Sequence, residues 1–350
     1  MTPPDAGGSP PRLTYPFETP AGYGIVGEPF PGILWLRLPL PMRLNHINLW
    51  LMSDGDGWTL VDTGLGTPEA KEIWEEIFAK GLQGKPITRM IVTHFHPDHV
   101  GLAGWLAERW GVTMVATELE WLYGRIIPLE SGPVRVANAT RFYCENGLSK
   151  EVAEVVANRP ASMRPFVSTV PTFFKRVSDG DDIEIGGRNW RVIVGQGHSP
   201  EHACLFCPEI NVMIAGDQVL PRITPNVSVW PAEPEGNPLS RFLSSLARID
   251  EMVRTDPLVL PSHWLPFQGL NPRIGYLIAH HDERLAEVEV ACVEPRTGAD
   301  IVPLLFRREL DISQMGIALG EALAHTHLLM GQGRLRKERR PDGAIVFRKP

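Results

Sequence analysis

Cysteine is scarce in this chain of 350 residues: Cys144, Cys204, Cys207 and Cys292 are the only four. That is too few for a disulfide scaffold of such length. No stretch approaches about 18 uninterrupted apolar residues, so no spanning helix is expected. The opening MTPPDAGGSPPRLTYPF has neither a basic segment nor an apolar one, which argues against a secretory signal and for a cytoplasmic protein without membrane association. Positive charge is also in deficit. A net charge of −7 speaks against a protein that coats nucleic acid by bulk electrostatics.

What is present in quantity is proline and glycine, 33 of each, with no collagen-like period. They imply many turns. Apolar residues at 43% and charged residues at 21% are ordinary for a globular chain. The length suggests about two domains, or one large body with an appendage. Residues 32–38 and 46–52 read as strands, then a DGDG turn and the strand WTLVD. A helix is expected over Thr67–Lys80, with Thr67-Pro68 as cap and first position. RMIVT and VTMVA are further strands, with a helix opening at His-Pro-Asp between them. Cys204 and Cys207 form a C-x-x-C, but they sit in the alternating run ACLFC without a second pair and read as buried strand cysteines. Strand alternating with helix points to an α/β body.

The decisive segment is Thr93-His94-Phe95-His96-Pro97-Asp98-His99. Four potential ligands fall within six residues, directly after an apolar strand. Imidazole and carboxylate in this mix suit zinc, iron or manganese better than calcium or magnesium. His198, Asp217 and His263 each follow a predicted strand, and Asp62 ends WTLVD. Polar, metal-competent residues at successive strand ends mark the catalytic edge of an α/β body.

This ordered set, H-x-H-x-D-H with VDTG upstream, GHSPEH and AGD downstream and a late SH, resembles the metallo-β-lactamase superfamily over roughly residues 30–270. The resemblance implies a four-layer αβ/βα sandwich with a binuclear metal site at one edge. It implies that His94, His96 and His198 hold one divalent ion, zinc foremost with iron or manganese as alternatives. Asp98, His99 and His263 would hold the second, and Asp217 would bridge them. Asp62 is expected to orient a ligand. Glu201 stands where many relatives have glycine, a departure expected to alter the rim rather than the ligands. A pair of metals sharing a hydroxide supplies a nucleophile near neutral pH, with Asp98 as proton acceptor and Asp98 and Asp217 as the catalytic carboxylates. His46 and His202 are assigned structural or packing roles, and His280, His281, His325 and His327 are not expected to be ligands.

The organisation that follows is a flexible leader at 1–20, a catalytic domain at 21–270 and a helical connection with a tail at 271–350. Residues 118–176 read as a helical insertion over the site, rather than as sheet. Tyr123 and Phe142 in that insertion, and Arg222 and Trp230 in the proline-rich loop after Asp217, are candidate substrate contacts. The last 20 residues carry +5, leaving −12 on the other 330. The helix and hairpin pattern of the tail resembles the small winged-helix appendage of some superfamily members, which points to packing or a homodimer more than to nucleic acid. The leading expectation is a hydrolase of a small-molecule thioester, ester or lactone. The alternatives are an RNA phosphodiesterase using the basic tail, and a mononuclear iron persulfide dioxygenase.

Overall fold

The computed structural model describes residues 11–42, 44–129 and 132–350, with no side chains given for 159–164. Seven strands form one sheet in sequential order: β1 (Gly27–Phe30), β2 (Ile33–Pro39), β3 (His46–Asp54), β4 (Gly57–Val61), β5 (Ile87–Ile91), β6 (Met114–Ala116) and β7 (Phe174–Arg176). The first four strands pair antiparallel and the rest parallel. A second sheet contains β8 (Asp182–Ile185), β9 (Arg188–Gly195), β10 (His202–Cys207), β11 (Val212–Gly216) and β12 (Leu258–Pro261), with only β11 and β12 parallel. A terminal hairpin joins β13 (Arg336–Arg339) to β14 (Ile345–Arg348).

The helices are α1 (Pro68–Lys80), α2 (Pro97–Val100), α3 (Ala103–Trp110), α4 (Glu118–Ile126), α5 (Pro133–Glu145), α6 (Lys150–Met163), α7 (Pro238–Met252), α8 (Leu270–Ala291), α9 (Gly298–Leu305) and α10 (Ile312–Gly331). None of the described helices is long and apolar enough to cross a membrane.

The layering follows from side-chain alternation along strands, whose period of two sends neighbours to opposite faces. In β2, Leu34, Leu36 and Leu38 join the cluster containing Trp74 of α1 and Leu106 of α3. Ile33 and Trp35 of the same strand face Val192, Leu205 and Ile214 of the second sheet. Both faces are covered, so the strand is apolar from Ile33 to Leu36 instead of alternating with polar residues. The other face of the second sheet carries Ile193, Cys204 and Met213 against α7, α8 and α10. The result is the expected αβ/βα sandwich. Cys204 and Cys207 are buried on opposite faces of β10, as free thiols.

Two features differ from the sequence expectation. Strand β7 ends the insertion and extends the first sheet beyond β6, through Met114↔Phe174 and Ala116↔Arg176. Three residues carry too little pattern to be read as a strand; the free edge of β6 recruits them. The leader is docked where it is described: Thr14 exchanges two backbone hydrogen bonds with Gln268 at 3.2 and 2.8 Å, and Phe17 packs edge-on against Trp35. Residues 1–10 of that leader lie outside the described residues. The tail shares a continuous apolar cluster with the body, in which Leu319 and Leu323 of α10 and Phe347 of β14 are buried. Its hairpin is stitched to the end of α8 by Lys349 N to Cys292 O at 2.9 Å.

Candidate metal centre

Five strand ends open on one edge of the sandwich and deliver Asp62, Thr93 to His99, His198, Asp217 and His263. All seven residues expected as ligands converge in two groups. His94, His96, His198 and Asp217 form one; Asp98, His99 and His263 form the other; within each group the donor atoms lie within 4.8 Å of one another. Asp217 reaches both, with Oδ2 at 3.6 Å from Nε2 of His198 and also of His99, and Oδ1 at 3.3 Å from Nε2 of His263. Oδ2 of Asp98 lies 3.7 Å from Nε2 of His99 and 3.6 Å from Nε2 of His263.

The outward ring nitrogens are engaged, and this selects the nitrogen that faces inward. His99 Nδ1 pairs with Asp62 Oδ2 at 2.8 Å, His198 Nδ1 with the Asn226 carbonyl at 2.8 Å and His263 Nδ1 with the His46 carbonyl at 2.7 Å. Asp62 thus sits where the sequence placed it, behind a ligand candidate. Its other oxygen accepts Thr93 N–H at 2.8 Å, and the Thr93 hydroxyl reaches both oxygens. Asp62 itself adopts φ 61, a left-handed conformation that aspartate tolerates better than most residues.

The donor set fits a cation. Nε2 of His99, Nε2 of His263 and Oδ1 of Asp217 are buried with no hydrogen-bond partner. Burial without a partner is costly, and a divalent ion would supply the missing partner. Nε2 of His94 also lies 2.9 Å from Nδ1 of His96 and 3.3 Å from Nε2 of His198, so three imidazole edges converge on one point. Burial, reinforced by the neighbouring imidazoles, holds His94 and His96 well below the usual histidine range. Burial would also lower His99, but Asp62, Asp98 and Asp217 outweigh it and raise His99 well above that range. One half of the centre is thus kept neutral, as ligation requires, while the carboxylate half attracts positive charge.

The remaining histidines divide as follows. His202 does more than pack: its Nε2 accepts the Asp217 backbone N–H at 3.0 Å, and burial lowers its pKa to about 3. His46 accepts Trp264 N–H at 2.7 Å through Nε2, fixing the turn after His263. His281 and His325 pair with each other at 3.3 Å inside the core, and His327 bonds to the Gly236 carbonyl.

Among the proposed substrate contacts, Tyr123 is half-buried beside the site, its ring 5.5 Å from that of Phe95. Phe142 instead packs against Tyr143 inside the helical cluster, a core position in place of the expected substrate contact. Arg222 and Trp230 are exposed. Sequence reading passed over Glu120. It is fully buried in α4 and accepts hydrogen bonds from Phe95 N, Ser199 Oγ and Glu201 N. The available signal was an acid on the buried face of α4, where Glu120 and Gly124 lie one turn apart.

Comparison with known proteins agrees with this geometry. The family model described as metallo-beta-lactamase superfamily matches residues 42–263. The chain belongs to that superfamily. A second model, the metallo-beta-lactamase-like C-terminal domain, matches residues 285–350. A solved beta-lactamase domain protein from Burkholderia ambifaria is 45% identical, covers 97% of this chain and 98% of its own, and superposes with a TM-score of 0.90. A probable metallo-hydrolase of Bacillus subtilis is 22% identical over 85% of this chain and 92% of its own length. An atrochrysone carboxyl ACP thioesterase of Aspergillus fumigatus is 24% identical over 70% of this chain, which spans 44% of that protein. Membership and the His/Asp cluster together support a metal-dependent hydrolase.

Proposed function

We propose that the chain hydrolyses a small acyl compound, a thioester, ester or lactone, with two divalent ions held at the strand edge. The observation that carries this reading is Asp217, whose two oxygens face both donor groups at once. His94, His96 and His198 would hold one ion, Asp98, His99 and His263 the other, with Asp217 between them and zinc as the first candidate metal. Such ions supply Lewis acidity toward the acyl oxygen and a water nucleophile active near neutral pH. Asp98 is the more exposed of the two site carboxylates, at 17% of its side chain. It is therefore placed to take the proton of the attacking water and return it to the leaving group. Tyr123 packs on Phe95, whose ring in turn meets that of His96, and is the candidate substrate contact on that side. The thioesterase relative supports the acyl class.

The nuclease alternative rested on the basic tail. All seven of its cations have acidic partners. Arg334 and Lys349 pair with Glu289, Lys337 with Glu235, Arg339 with Glu145, Arg340 with Asp342, and Arg336 and Arg348 with Glu338. Three of those partners, Glu145, Glu235 and Glu289, lie outside the hairpin, so its charge is largely engaged in docking, and this weighs against a phosphate-binding face.

The test is metal analysis of the purified chain with a turnover panel of acyl-CoA thioesters, lactones and single-stranded RNA. Two metal equivalents with acyl turnover support the reading. RNA cleavage without acyl turnover would overturn it, as would one iron with oxygen consumption on a persulfide.

A further inference from the structure

The two ligand loops nearest the insertion share a backbone bond at their base, Ala203 N–H to the Thr93 carbonyl at 2.9 Å. Both bond to one side chain. Glu120 Oε2 accepts Phe95 N–H at 2.9 Å, between His94 and His96. Its Oε1 accepts the Ser199 hydroxyl at 2.7 Å and Glu201 N–H at 2.6 Å, immediately after His198. The contact is reciprocated from the other side: the Glu201 carboxylate accepts Leu119 N–H at 3.0 Å, and the Glu201 carbonyl accepts the Thr117 hydroxyl at 2.8 Å. Helix α4 is itself anchored, because Trp121 stacks on Phe174 at 4.3 Å and donates Nε1–H to the Pro171 carbonyl at 2.9 Å. Glu120 is therefore a strut from a fixed base to both loops.

In the other half of the centre the insertion reaches the backbone beyond α2, through Ser168 N–H to the Gly101 carbonyl at 2.7 Å, and the imidazoles are held from the sheets. His99 hangs from Asp62 and His263 from the His46 carbonyl, all on the two sheets or the turns that end their strands.

We propose that Glu120 is a positioning residue that sets the spacing of His94 and His96 against His198, so that the insertion helix controls one metal position and leaves the other to the sheets. This rests on the two-metal reading above. Burial pushes the Glu120 carboxyl up to about 7, against the pull of its three donors.

The substitution that isolates the effect is Glu120→Gln. Its amide oxygen keeps the Ser199 and Glu201 donors, while its NH₂ group meets Phe95 N–H, donor against donor. Glu120→Ala removes all three bonds. The experiment titrates cobalt(II) into metal-free full-length protein, following visible absorption, with amide hydrogen exchange at Phe95 and Glu201 measured before metal is added.

Wild type is expected to take two equivalents. Glu120→Gln is expected to hold one as tightly as wild type and the other roughly ten- to a hundredfold more weakly, the range found when supports of metal ligands are lost. Exchange at Phe95 should quicken while Glu201 stays protected; in Glu120→Ala both should quicken. Unchanged affinity for both equivalents, or an equal loss of both, overturns the strut. Wild type taking a single equivalent would sink the two-metal reading instead, and the strut would then fall only if Glu120→Gln left that ion's affinity and the Phe95 exchange unaltered.

Discussion

Asp62 Oδ2 and His99 Nδ1 lie 2.8 Å apart, and this bond decides which imidazole nitrogen of His99 faces the centre. Asp62→Asn keeps the size of the side chain and the tolerance for a positive φ. It cannot satisfy His99 Nδ1–H and Thr93 N–H together, because only one of its two polar atoms accepts. Metal affinity at the His99 position, or turnover, should fall roughly ten- to a hundredfold. Chelator-competition measurement of the zinc constant checks this, and wild-type affinity would refute it.

His202→Ala should cost both stability and metal. The Asp217 N–H loses its acceptor at a site where His202 is fully buried. An unpaired buried amide costs about 1–3 kcal/mol, and the Gly216–Asp217 turn loses its brace. A lowered urea midpoint with weakened metal binding is expected. Loss of stability alone would reduce His202 to packing.

Glu321 predicts a stability change with pH of unusual sign for an acid. Burial in α10 pushes its carboxyl up to about 7, with Asn226 as its partner. A carboxyl raised above its unfolded value costs nothing at low pH, where both states are protonated. The cost accrues as pH rises from the ordinary 4.5 through the folded value, and is complete above it. A shift of this size corresponds to on the order of 3 kcal/mol. Glu321→Gln should therefore match wild type near pH 4.5 and be the more stable protein at about pH 8. Thermal melts at both pH values decide it; equal stability throughout would mean that the carboxyl stays solvated.

Retention of single-stranded RNA should be weak in wild type and should appear when the body's acids are neutralised. Glu145, Glu235 and Glu289 compensate four of the tail's cations. Glu145→Gln, Glu235→Gln and Glu289→Gln combined should raise RNA affinity with a steep salt dependence. Tight wild-type binding at physiological salt would restore the nuclease reading.

The candidate ligand set was legible because each member follows a strand or sits in one short string, so chemistry and periodicity agree at the same positions. The helix at Pro68 was legible from its cap, Thr67, whose side chain accepts Ala70 N–H. Glu120 was not, because an acid in the first turn of a helix reads as a favourable dipole partner on the surface. Only tertiary packing turns it inward. Phe142, read as a candidate substrate contact, lies in the helical core for a related reason: an aromatic in an amphipathic helix announces burial without saying against which neighbour. The charge of the tail was visible as +5, but its neutralisation depends on Glu145, Glu235 and Glu289, which are remote in the chain.

The order of the donors along the chain also bears on how metal and folding are coupled. His94, His96, Asp98 and His99 are neighbours even in the unfolded chain, whereas His198, Asp217 and His263 arrive only when two sheets built from distant stretches have packed. The unfolded chain is therefore already a chelating peptide. Metal bound there lowers the free energy of the unfolded state as well, which subtracts from the stability that metal confers on the fold. What an ion would add to the stability of the fold therefore comes from the three late donors, His198, Asp217 and His263.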